Sequence, residues 1–233
     1  MSACGLAIFV KTPRLSAVKT RLWPMLGRAR AETLYIACAE AVQSVAMQSA
    51  QTTAITPYFA VGEAVDPVHA HWSAFPHVLQ GEGGLGERMS HVYGALRQRH
   101  HGALLIGADA PQVRADVLVQ AATWLDAPVP RLVIGRARDG GFWLFGGNVS
   151  LADAAWKRVE YSRADTADRF IDAFRNCGEW MSLPTLTDLD TGDDIPRVHD
   201  QLLDLPAPTS AQVRVRDALA IASNAPDPCV EQA

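Results

Sequence analysis

Apolar and polar positions along this chain follow two alternating periods. Short unbroken apolar runs bounded by Gly, Pro or Asp give way to longer stretches with helical spacing, and the pattern repeats. Unbroken apolar runs predict strands buried on both faces, as in a parallel sheet. Gly5-Leu6-Ala7-Ile8-Phe9-Val10 is the first. Residues 28–48 then carry Leu34, Cys38, Ala41 and Val45 on one helical face. A second strand is expected over 53–61, weakened by Pro57, and a short third over 77–80. A short helix is expected over 66–72, and Leu85, Met89, Val92 and Leu96 mark an amphipathic helix. Leu104-Leu105-Ile106 reads as a central strand ending in Gly107-Ala108-Asp109-Ala110-Pro111, and a helix with Leu118, Ala121, Ala122 and Leu125 inward follows.

Further on, residues 131–136 and 142–145 predict two strands returning on each other through Asp139-Gly140-Gly141. Ala167, Phe170, Ile171 and Phe174 define another helix, and 180–186 a last strand whose Pro184 suits a sheet edge. Helices are expected at about 193–203 and 211–222, with a frayed tail over 223–233. Alternating strands and helices predict a single-domain α/β fold: a doubly wound, mostly parallel sheet with helices on both faces.

Composition narrows the functional class. With 233 residues, 48% apolar and 20% charged, the chain suits one soluble globular domain. A net charge of −4 argues against general nucleic-acid binding. No apolar run approaches the roughly 20 residues that cross a bilayer, and the first residues lack the basic region and cleavage site of a secretion signal. Cys4, Cys38, Cys177 and Cys229 have neither metal-ligand nor redox spacing, so a reduced, cytoplasmic protein is expected.

The candidate chemistry lies where apolar runs end. Asp109 falls at the carboxyl end of its strand, where open α/β sheets bind ligands. Such a carboxylate holds a divalent metal against a phosphate, or else caps the helix starting near Arg114. Lys11, Arg14, Lys19 and Arg21 follow the first strand and border the same crevice, where fixed cations suit a polyphosphate; the alternative is a solvated basic loop. Neither the Walker loop nor the Rossmann glycine pattern is present. Asp139 is a candidate base or a plain turn former, and Arg136 and Arg138 are candidate readers of an anionic acceptor. Trp143 reads as packing, and His69, His71, His100 and His101 are assigned no metal.

Several blocks together resemble a known family. Ala7-Ile8-Phe9-Val10-Lys11-Thr12-Pro13 with Val18-Lys19-Thr20-Arg21-Leu22 comes first. Gln80-Gly81 and Leu85-Gly86-Glu87-Arg88-Met89 follow, then Gly107-Ala108-Asp109-Ala110-Pro111, Asp139-Gly140-Gly141-Phe142-Trp143-Leu144 and Asp188-Leu189-Asp190-Thr191-Gly192-Asp193-Asp194-Ile195. In this order they resemble a bacterial family of rSAM/selenodomain-associated, arsenosugar-type transferases. That family has the GT-A fold of nucleotide-diphospho-sugar transferases and nucleotidyltransferases. This chain departs from it in having no Gly at Ser16 or Ala17, Gly-Ala-Asp for Gly-Ser-Asp, and Tyr161-Ser162-Arg163 for Trp-Ser-Thr.

The resemblance implies a GT-A-like nucleotide-binding transferase domain over 1–204 and a C-terminal extension over 205–233. It implies Asp109 and Asp190 as ligands of Mg²⁺ or Mn²⁺, with Asp188 as local competitor and helix capping as the alternative for Asp190. Lys11, Lys19 and Arg21 would grip phosphates, with Lys19, Arg21 and Asp139 as the catalytic set. Gly83, Gly84 and Gly86 would let backbone approach a base or ribose, or else simply form a turn. The expected reaction is nucleotidyl transfer from a nucleoside triphosphate to a small phosphate- or hydroxyl-bearing acceptor, releasing pyrophosphate. Glycosyl transfer from a nucleotide-sugar and a non-catalytic nucleotide-binding module are the alternatives. The expected partners are the nucleotide or nucleotide-sugar and a small-molecule acceptor, with no nucleic acid or membrane.

Overall fold

The structure, a computed structural model, describes residues 3–63 and 71–223. Seven strands form one sheet in the order β3-β2-β1-β4-β6-β5-β7. They are β1 (Cys4–Val10), β2 (Ile55–Val61), β3 (His77–Leu79), β4 (Gly102–Gly107), β5 (Arg131–Ala137), β6 (Phe142–Gly147) and β7 (Glu179–Leu186). Only β6 runs against the others, inserted between β4 and β5 by the hairpin expected at 139–141. The α/β fold with a mostly parallel sheet is therefore as anticipated, and β4 is central. Pro184 lies in β7, an edge strand paired to β5 alone. Pro57 is tolerated in β2 because β3 covers only Phe59–Val61, leaving the strand's first half with a neighbour on one side.

Side-chain alternation builds a core on each face of the sheet. Leu6, Ile8 and Val10 of β1 join Leu104 and Ile106 of β4 on one face, beneath helices α2 (Arg28–Thr52) and α4 (Ala115–Leu125). Ala7, Ala103, Leu105 and Phe145 point to the other face. There they meet α3 (Leu85–Arg97), α5 (Asp153–Arg158) and α6 (Thr166–Phe174). Trp156, Phe145, Phe170 and Phe174 interlock in that layer at ring separations of 4.8–6.4 Å.

A third apolar layer divides the single face expected for α2, which groups Val45 with Leu34, Cys38 and Ala41. Leu34, Cys38 and Ala41 do not meet the sheet; they pack against α7 (Asp194–Leu203) and α8 (Ser210–Ser223) through Ile195, Val198, Val215 and Leu219. Tyr35, Ala39, Val42, Val45 and Ala46 face the sheet instead. A helix buried on two sides carries two stripes, and the sequence shows both without ranking them. The one-turn helix α1 (Trp23–Leu26) and α5 are additional to the expected elements. The helix expected over 66–72 and the tail beyond 223 lie largely outside the described residues. Among the described residues no helix is long and apolar enough to cross a membrane.

Candidate functional site

The carboxyl ends of β1, β4, β5 and β7 open on a cavity of about 490 Å³, within the range of small-molecule sites. On one wall stands the loop after β1. Its backbone is tied down by the Lys11 N–H, which donates to Tyr35 Oη (2.8 Å), and by the Thr12 N–H, which donates to Glu63 (3.0 and 3.1 Å). The Ser16 hydroxyl bonds the same Glu63 carboxylate. Lys19 adopts a left-handed backbone (φ +50°) just before the short 3₁₀ turn Thr20–Leu22. Leu22 is buried in the third apolar layer and anchors that turn. Lys11, Lys19 and Arg21 all line the cavity.

Opposite them, two segments far apart in sequence are stitched together. The Leu189 N–H donates to the Asp109 carbonyl (2.9 Å), and Gln112 Nε2 donates to the Thr187 carbonyl (2.7 Å). These bonds carry the segment following β7 across to the end of β4, although β6 and β5 separate those strands. Gln212 of α8 supports the same corner by donating from Nε2 to the carbonyls of Pro111 (2.9 Å) and Val113 (2.8 Å).

The result is one ammonium between two carboxylates. Lys19 Nζ lies 2.6 Å from Asp109 Oδ1 and 2.9 Å from Asp190 Oδ1. The Lys19 side chain is 4% exposed and the two carboxylates 38% and 40%. Burial alone would drive the ammonium towards its neutral form, but Asp109 and then Asp190 outweigh it, and the net shift is upward. Neither aspartate caps a helix. The α4 N-cap is Arg114 and that of α7 is Asp193. Asp194 closes the turn before α7 by accepting from the Asp190 and Thr191 N–H groups and the Thr191 hydroxyl, at 2.8–3.1 Å.

Asp188 also lines the cavity. The residue is partly exposed, yet its Oδ1 is sealed from solvent without a hydrogen-bond partner. Burial first, then the charges of Asp109, Asp139 and Asp190, hold its carboxyl well above the usual range. Asp139 lines the cavity, and its Oδ1 accepts from the Gly141 N–H (2.8 Å), closing the turn.

Most of the remaining candidates lie away from the cavity. Arg136 pairs with Asp168 (2.6 Å), and neither it nor Arg138 lines the cavity; Arg163 does, with Tyr161 and Ser162. Gly84 is the N-cap of α3, and its N–H donates to Glu87 (2.9 Å). Gly83 precedes it with φ +93°. Gly86 packs so closely on Trp156 and Tyr161 that a Cβ would stand 2.6 Å from each. None of these three glycines lines the cavity, whereas Leu85 and Met89 of the same helix do. Trp143 is buried, with its indole against Gly135 and its N–H donated to the Pro184 carbonyl (3.1 Å), and it also lines the cavity. His100 contacts the Tyr58 hydroxyl (3.0 Å) and His101 the Ala127 carbonyl (2.9 Å), while His69 lies outside the described residues.

One cavity residue not assigned a role from sequence is Gln80. Its amide donates to the carbonyls of Val10 (3.1 Å) and Ala60 (2.9 Å), fastening the ends of β1 and β2. A buried glutamine ending a short strand was the available signal. Among the described residues no three His, Cys, Asp or Glu side chains close around a common point. The donors are nonetheless hard oxygens, two of them already flank a cation, and Asp188 Oδ1 lacks a partner, which suits Mg²⁺ or Mn²⁺.

Comparison with solved structures agrees with this architecture. The chain is 25% identical to a candidate nucleotide-diphospho-sugar transferase from Desulfovibrio desulfuricans G20 (TM-score 0.78), covering 94% of this chain and 97% of that one. It shares its fold with 4-diphosphocytidyl-2C-methyl-D-erythritol synthase from Anaerococcus prevotii DSM 20548 (TM-score 0.51, 8% identity, 95% and 96% covered). It likewise shares the fold of a CMP:2-keto-3-deoxy-manno-octonic acid synthetase solved with CTP (TM-score 0.50, 10% identity, 87% and 98% covered). The similarity to the D. desulfuricans protein supports the nucleotide-diphospho-sugar transferase superfamily, and does not reach the rSAM-associated, arsenosugar subtype. No curated protein matches by sequence. Residues 32–163, more than half of the chain, match the family described as "Uncharacterized protein conserved in bacteria (DUF2064)", and the chain belongs to that family.

Proposed function

We propose that this protein is a metal-dependent nucleotidyltransferase of the cytoplasm. It moves the nucleotidyl group of a nucleoside triphosphate to a small acceptor bearing a phosphate or hydroxyl, with release of pyrophosphate. The observation that carries this is the cluster of Lys19, Asp109 and Asp190 at the carboxyl edge of the sheet, with Lys11 and Arg21 on the same cavity wall. Three cations beside a carboxylate pair match a polyphosphate with its counter-ion. They neutralise oxygens that otherwise repel one another, so catalysis here is mainly positioning and charge stabilisation. Asp109 and Asp190, with Asp188 next to them, would hold Mg²⁺ or Mn²⁺; bound there, it supplies charge neutralisation at the transferred phosphate. Asp139 at the rim takes the proton of a hydroxyl acceptor. The transferase domain spans 1–204, and 205–233 is an extension whose helix α8 braces the Asp109 corner through Gln212.

Glycosyl transfer from a nucleotide-diphospho-sugar is the second reading, favoured by the similarity to the D. desulfuricans protein. Thermal-shift measurements with Mg²⁺ against nucleoside triphosphates and nucleotide-sugars, on wild type and Asp109→Ala, separate the two. A triphosphate at about 100 times its dissociation constant adds roughly 2.7 kcal/mol. Expected is a metal-dependent gain with a triphosphate, lost in Asp109→Ala, with pyrophosphate released once an acceptor is supplied. A gain with nucleotide-sugars alone transfers the assignment to glycosyl transfer. Binding without any product marks a non-catalytic module, and no gain with either class overturns the nucleotide site.

A further inference from the structure

We propose that Lys19 is a tethered counter-ion that competes with the divalent cation for Asp109 and Asp190. Once displaced, it is delivered to the phosphates of the bound nucleotide. This rests on the metal and nucleotide reading of the site and adds an order of events to it. The ammonium already occupies Oδ1 of both carboxylates assigned to the metal, at 2.6 and 2.9 Å. A dication takes such oxygens at about 2.1 Å, and it cannot share them with an ammonium at those distances without strong repulsion. One cation therefore leaves when the other enters.

The fold confines that exchange to a side chain. Around Lys19 the backbone is held by the 3₁₀ turn Thr20–Leu22 and by buried Leu22, so the Cα keeps its place. The four-carbon stem is the flexible part, and the cavity beside it is open space lined by Lys11 and Arg21. Asp188 is the second sign of a site built for more positive charge than one ammonium. Asp188 lines the same cavity as Lys19, Asp109 and Asp190, and its Oδ1 is buried with no hydrogen bond. Two consequences follow. Bare cation binds weakly because it must evict Lys19 into solvent, and the nucleotide strengthens cation binding because its phosphates receive the evicted charge. The coupling is reciprocal.

The test is Mn²⁺ binding, followed by paramagnetic resonance, to wild type and Lys19→Met without nucleotide. Lys19→Met is expected to bind Mn²⁺ at least tenfold more tightly and to lose affinity for Mg²⁺-nucleoside triphosphate. Equal Mn²⁺ affinity in the two proteins overturns the exchange. A second measurement needs no variant: reductive methylation of the wild-type protein, with the Lys19 peptide quantified against Lys157. Saturating Mg²⁺ with nucleoside triphosphate is expected to change Lys19 labelling at least fivefold, because its ammonium changes partners. Unchanged labelling overturns the exchange. If Mn²⁺ gains its tenfold but no nucleotide binds either protein, the competition stands and the nucleotide assignment falls. If wild type binds nucleotide only with metal while Lys19→Met gains no Mn²⁺ affinity, the exchange alone falls.

Discussion

Lys19 Nζ lies 2.6 Å from Asp109 Oδ1, joining the basic loop after β1 to the acid after β4 across the mouth of the cavity. Both residues are visible as candidates in the sequence, but as partners of a ligand rather than of each other. Removing one member of a buried pair costs more than the pair contributes, because the survivor stays desolvated. Here the carboxylates are more than a third exposed, and solvent screening reduces the penalty. Asp109→Ala is therefore expected to lower unfolding stability in urea by about 1–3 kcal/mol. A loss under 0.5 kcal/mol would mean that Asp190 alone satisfies the ammonium.

Asp188 carries the site's pH dependence. Its carboxyl is held above the ordinary range by burial and by three neighbouring carboxylates. Below the unfolded pKa both states are protonated and the group contributes nothing. As pH rises from there towards the raised folded value, the unfolded chain releases its proton first, and stability falls. Asp188→Asn keeps the shape of the protonated acid and removes this loss. Its melting temperature, measured without added metal, is expected to exceed that of wild type by a margin that grows from pH 4 to pH 7. A margin independent of pH would show that Asp188 is not held protonated.

Gly140 sets the position of Asp139. It has φ +91°, and a Cβ there would fall 1.8 Å from the Ala164 carbonyl oxygen, while its own carbonyl accepts from the Ala167 N–H (2.9 Å). Gly140→Ala combines backbone strain with a clash against main chain, and a cost of about 2–4 kcal/mol is expected by chemical denaturation. Gly141→Ala is the control: its added Cβ meets only the Asp139 side chain, at 3.1 Å or more. Equal losses in both would remove the special role of Gly140.

Gln212 links the last described helix to the site. Its amide serves two carbonyls of the 111–113 segment, next to Asp109. Gln212→Leu leaves both carbonyls buried and without that donor, and a loss of about 1–3 kcal/mol is expected. Amide exchange over 109–113 should accelerate in parallel. Exchange as slow as in wild type would show that α8 does not brace the corner.

Much of this protein is legible along the chain. The apolar runs at 5–10 and 104–106 became adjacent parallel strands, Pro184 marked an edge, and Gly-Ala-Asp at the end of β4 pointed to a ligand crevice. Periodicity reports such features because they depend on neighbours a few residues away. It missed α5, whose six residues bury only Ala155 and Trp156 and so offer no repeat to read. It also grouped Val45 with Leu34, Cys38 and Ala41 on one face of α2, whereas Val45 meets the sheet and the other three are covered by α7 and α8. The turn at 139–141 already implied that β6 runs back against β5; tertiary structure alone decided that β6 lies between β4 and β5, and that Leu189 bonds to Asp109 across the two strands separating β4 from β7. It alone decided that Lys19 lies between Asp109 and Asp190. The sequence determines which residues carry charge at the ends of strands. Which of those charges meet, and how far each is buried, depends on contacts between distant segments, and electrostatic energy at a few ångströms depends on little else.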